Sequence, residues 1–105
     1  LLEKALGSNH PEIAKSFSNM GLLLSQQGQH KQALKMHQSA AQINTKTLGR
    51  NHPDTASSHF NVGLAWKSQG KLDRAKQEFQ MAHKSWIAAH GSDHPDVGMA
   101  AQEIS

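Results

Sequence analysis

The chain has no cysteine, no tyrosine, only two valines and two arginines, and no long apolar run. Each lack excludes something. Without cysteine there are no disulfides, thiolate metal ligands or thiol nucleophiles, and a reducing, cytoplasmic setting is the expectation. Tyrosine and valine favour strands, so their scarcity across 105 residues argues against sheet and for helix. No stretch reaches the roughly 20 apolar residues of a membrane span, and no secretory signal is visible, so no membrane partner is expected. The net charge of +3 is scattered in singles and pairs instead of gathered into an arginine stripe, which argues against nucleic acid. Catalytic signatures are missing too. There is no His-Glu-x-x-His, no phosphate-cradling glycine loop and no Gly-x-Ser-x-Gly elbow, so neither an enzyme nor a cofactor is expected.

What the sequence does contain is one heptad in three copies. Leu6-Gly7-Ser8-Asn9-His10-Pro11-Glu12 is followed by Leu48-Gly49-Arg50-Asn51-His52-Pro53-Asp54 and by His90-Gly91-Ser92-Asp93-His94-Pro95-Asp96. The glycines are 42 residues apart both times, and a strict period of this size marks a repeat array. Within each copy the chemistry reads as a stop and then a start. Glycine takes the left-handed conformation that ends a helix. Asn or Asp is expected to cap the next helix, and Pro suits its first turn, where an amide donor has no partner. The acidic residue after Pro complements the positive end of the helix dipole. Each heptad is therefore read as a helix–helix junction.

The helices follow from periodicity. Ile13, Ala14, Phe17, Met20, Gly21 and Leu24 recur at helical spacing from Pro11 until Gly28. A second helix is expected from about His30 to Leu48, with Ala33, Met36 or His37, Ala40, and Ile43 or Asn44 facing inward. The scheme repeats with Ala56, His59, Val62, Gly63 and Trp66, then Leu72, Ala75, Phe79, Ala82 and Trp86. The chain thus divides into the end of a preceding helix (1–6), two units (7–48 and 49–90) and the start of a third (91–105). Since it opens on Leu1 and stops soon after the third junction, the expectation is a section of a longer array with open ends near Leu1-Leu2 and Val97–Met99. Those ends would bury apolar surface against another copy.

A 42-residue unit is compatible with propeller blades and with several helical repeats. Nothing here alternates at period two, so blades drop out. Phe17-x-x-Met20-Gly21-x-x-Leu24 precedes Ala33-x-x-x-His37 and Ala40, while His59-x-x-Val62-Gly63-x-x-Trp66 precedes Ala75-x-x-x-Phe79 and Ala82. This resembles the tetratricopeptide repeat, with His59 and His37 standing where aromatics are usual. The 42-residue period and the junction motif further resemble the long repeats of kinesin light chains and their relatives. The resemblance implies an all-α, right-handed α-solenoid of helical hairpins. It also implies a protein–protein interaction scaffold whose first helices line a concave groove for an extended peptide.

The same resemblance places Asn19 and Asn61, one period apart, where an amide bonds a peptide backbone by donating and accepting at once. The groove would include Lys15, Ser18, Leu22 and Gln26 in the first unit, and Ser57, Phe60, Leu64 and Lys67 in the second. Lys15 and Lys67 could meet acidic side chains. Glu103 stands where a third Asn would continue the ladder. The alternative for each Asn is a bond to a neighbouring helix. The alternative for the chain is a structural, self-associating repeat region of a larger nucleotide-driven sensor. Trp66 is expected in the core, and Trp86 either covers the next unit or marks a contact surface. Of the eight histidines, only His10, His52 and His94 recur with the period. Spaced by stacked units they cannot share an ion, while His30 and His37, like His83 and His90, are two turns apart, so no metal site is expected.

Overall fold

A computed structural model describes residues 10–91 and 94–104. It contains the helices α1 (Pro11–Gln26), α2 (His30–Leu48), α3 (Pro53–Ser68), α4 (Leu72–His90) and α5 (Pro95–Ile104), and no strand among the described residues. α1 packs on α2 and α3 on α4 as hairpins; α2 also packs on α3, and α4 on α5. The result is an all-α helical repeat solenoid. The segment 1–6, with the end expected near Leu1-Leu2, lies outside the described residues. No described helix is long and apolar enough to cross a membrane.

Where they are described, the junctions stop and start helices as expected, with one correction; the expected stop at Gly7 lies outside the described residues. Gly49 and Gly91, at φ +92° and +85°, hold a conformation that side-chain-bearing residues resist, and they end α2 and α4. The N-cap of α1 is His10 and that of α3 is His52, which stands in place of the expected Asn51; Asn9 and Asp93 lie outside the described residues. His10 Nδ1 accepts from the Glu12 amide, and His52 Nδ1 from the Asp54 amide, both at 3.0 Å; His94 Nδ1 accepts from the Asp96 amide at 3.1 Å. An imidazole nitrogen thus takes the place of the usual side-chain oxygen and satisfies an amide that the helix leaves free. The ring accepts a proton donor from the next helix.

The two helix-interior glycines are explained by contact distance. A Cβ on Gly21 would lie 2.6 Å from His37 Cε1, and one on Gly63 would lie 2.6 Å from Phe79 Cε1. Each glycine lets a ring of the partner helix rest on backbone, which offsets the roughly 1 kcal/mol that glycine costs a helix.

The largest core cluster gathers Ala56, Phe60, Ala75, Phe79, Ala82 and Trp86 with Val97 and Ala100 of α5. Phe60 stacks at a tilt on Phe79 and Trp86, with centroids 5.2 and 5.6 Å away. Trp86 is 2% exposed and covers the next unit. Val97 is buried in this cluster and so contributes no open-end surface, whereas Met99 is exposed. A second cluster joins Ile13, Ala14, Ala40 and Ile43. A third, Leu34, Ala41, Val62 and Ala65, sews α2 to α3. Trp66 is half-buried between clusters with the Arg74 guanidinium 5.0 Å over its ring.

Candidate functional site

α1 and α3 lie side by side, because the 42-residue step returns the same face to the same side. Between them runs a cleft of about 300 Å³. Lys15, Ser18 and Asn19 line it from α1, and Ser57 and Asn61 from α3; Asn44, Leu48, His52, Asp54 and Ser58 add to it from α2, the junction and α3. Five of the ten groove residues expected from sequence therefore meet in one place. Leu22, Gln26 and Leu64 are exposed but stand outside the cleft.

Two expectations need correction. Phe60 does not face a groove: its ring is 8% exposed, held between Phe79 and Trp86 as core. The Lys67 ammonium is already engaged, since Nζ donates to both carboxylate oxygens of Glu103 at 2.7 and 3.2 Å. Glu103, which replaces a third Asn, thus closes the ladder with an ion pair. Lys15 lies 4.0 Å from Glu12, and Asp54 lines the same cleft, so the surface there carries both signs.

Asn19 is exposed and Asn61 half-buried, and neither side chain hydrogen-bonds to any described residue. Asn44 behaves differently. Its amide donates to Ser58 Oγ at 2.8 Å and to the Asp54 carbonyl at 3.4 Å, forming a polar floor that the first-helix reading missed. The signal for it was the pair Asn44 and Ser58, polar where the next unit has Trp86 and Ala100.

A larger cavity, about 980 Å³, opens along α2 and is lined by Phe17, Gln38, Gln42, Lys46, His59 and Glu78 among others. At its edge His59 Nδ1 and Glu78 Oε1 are 2.8 Å apart. The first unit has Phe17 and Met36 at those two positions, so the apolar pair of one unit becomes a polar pair in the next. The larger space is open to solvent, with Phe17 of α1, His59 and Val62 of α3 and Glu78 of α4 lining it beside α2. The smaller cleft alone unites period-related polar side chains from two units.

Compared with protein-family models, the chain matches the model described as tetratricopeptide repeat over residues 1–44 and 12–84. The chain belongs to the tetratricopeptide repeat family. Compared with curated proteins, it finds no match. Tetratricopeptide repeats are a non-catalytic repeat scaffold and generally mediate protein–protein interactions. The donor set in the cleft of this chain agrees with that. Its amides and hydroxyls, with the carboxylates of Glu12 and Asp54 as acceptors, can exchange hydrogen bonds with a peptide.

Proposed function

We propose that the cleft between α1 and α3 holds an extended segment of a partner protein, in the manner of an adaptor module. The observation that carries this reading is the pair Asn19 and Asn61: one period apart, in one cleft, with side-chain amides unbonded to any described residue. An extended peptide repeats its carbonyls and amides, and a solenoid repeats its side chains, so two amides one unit apart can hold one strand at two points. With Lys67 tied to Glu103 and Lys15 beside Glu12, a peptide of low net charge suits the cleft better than a strongly acidic one. The 42-residue period and the junction heptads support a kinesin light chain-like type within the family.

The test is a peptide-array selection followed by titration of the best binders. Losing a hydrogen bond in a partly desolvated groove costs roughly 1–3 kcal/mol. Asn19→Ala with Asn61→Ala should therefore lower affinity about ten- to hundred-fold or more, with melting unchanged. If melting falls and affinity holds, the two amides serve the fold and the reading fails.

A second reading, self-association along the solenoid, rests on a different observation. Met20 and Leu23 are 53% and 58% exposed. Val62 and Ala65, their counterparts one period on, are buried against Leu34 and Ala41 of α2. The same stripe of α1 is thus shaped to take another helix, from a further unit or a second copy.

A further inference from the structure

The third junction departs from the other two at its first position. Leu6 and Leu48 begin the earlier heptads, whereas His90 begins the third. The structure sets this additional imidazole against the capping histidine of the same junction. The rings of His90 and His94 stack with centroids 4.0 Å apart and planes 16° from parallel. Asp96 joins them, and one ligand atom from each of the three residues lies within 4.8 Å of the others.

We propose that His90, His94 and Asp96 bind a divalent transition-metal ion of the zinc class, clipping the start of α5 to the end of α4. Two imidazoles and one carboxylate are a donor set that zinc accepts, and a separation of three residues between the histidines falls within the spacing of zinc sites. With bonds of about 2.0–2.2 Å, neighbouring donors around a tetrahedral ion stand roughly 3.3–3.6 Å apart. The trio must therefore draw in by about an ångström, and the rings must tilt from their stack so that each points a nitrogen at the ion. The positions permit this, since His90 is exposed and His94 and Asp96 are half-exposed. Water completes the shell.

The chemistry of the junction favours the closure. Each neutral ring keeps one nitrogen lone pair, and a shared cation can accept both. His94 Nδ1 lies 3.5 Å from Asp96 Oδ2, so it is the nitrogen on the carboxylate's side, and coordination through it takes over the lone pair that now accepts from the Asp96 amide. The preceding junction serves as an internal control. There His52 caps α3 in the same way, with Asp54 two residues on, but Leu48 supplies no third ligand. Sequence reasoning missed the site because it compared histidines within one helix or one period apart. His90 and His94 face each other across a helix end.

Zinc chloride titrated into the full chain by calorimetry, in a non-chelating buffer, tests the proposal. One saturable site is expected. His90→Leu restores the residue of the other junctions, and His94→Asn keeps a capping oxygen while removing the ligand. Outer-shell partners alone are worth about ten- to hundred-fold in metal affinity, so losing a ligand should weaken binding at least about ten-fold in either variant. Histidine ring resonances give a readout independent of folding: those of His90 and His94 should shift with zinc while His52 stays put. Absence of saturable binding, equal affinity in His90→Leu, or shifts confined to other histidines would overturn it.

Discussion

The Asn44 amide donates to the Ser58 hydroxyl at 2.8 Å, and one period later the same two positions are Trp86 and Ala100, both in the core. One solenoid joint is thus sealed by hydrogen bonds and the next by a large ring over a small residue. Asn44→Ala should lower stability by about 1–3 kcal/mol, because Ser58 and the Asp54 carbonyl lose a buried donor. Trp86→Ala should cost more, about 3–5 kcal/mol, from the cavity it leaves. Urea unfolding of both variants checks the order.

Gly63→Leu tests the register of the hairpin. On an open helix surface the change would stabilise by up to about 1 kcal/mol through propensity. Here the first added carbon already meets the Phe79 ring at 2.6 Å, so the helices must part, at a cost of about 1–3 kcal/mol or more. A raised melting temperature would contradict the packing.

His37 sits where the second unit has Phe79, buried beneath Gly21 with no hydrogen-bond partner for Nδ1 among the described residues. Burial holds its pKa below the ordinary 6.5. As pH falls below about 6.5 the unfolded chain takes up a proton that the folded chain resists, so stability present above that pH is lost progressively below it. His37→Phe should remove this part of the acid sensitivity and, by ending an unpaired buried nitrogen, add about 1 kcal/mol at neutral pH. Melting curves of the two proteins from pH 8 to pH 5 should diverge as the solution becomes more acid; parallel curves would show that His37 titrates the same way folded and unfolded.

The bare stripe on α1 predicts concentration dependence. If Met20 and Leu23 pack against a second copy, light scattering should show mass rising with concentration, and Met20→Lys with Leu23→Glu should abolish the rise. A monomer across the range would leave the stripe to a different helix.

The helices and their pairing were legible because glycine and proline act locally. Their backbone limits hold whatever surrounds them, and the period then repeats the answer. The cap was not legible at that level. Asn51 and His52 both carry an acceptor, and only the extended backbone of His52, at φ −78° and ψ 141°, decides which one reaches the Asp54 amide. Residues whose burial depends on a neighbouring unit were harder still. Met20 and Val62 share a register position, yet one is bare and the other covered, because Val62 lies against Leu34 and Ala41 of the preceding unit's second helix. Phe60 shows the same limit in the groove. It shares a position with Ser18, and a phenyl ring at that place turns into the core beside Trp86 where a serine can stay at the cleft.

The central claim is where a partner peptide sits, and side-chain amide resonances measure that most directly. With a selected peptide titrated into labelled protein, the Asn19 and Asn61 amide pairs should shift and saturate together, along with the backbone of Ser18 and Ser57. Shifts concentrated instead on Gln38, Gln42 and His59, around the larger cavity along α2, with Asn19 and Asn61 unmoved, would contradict the account.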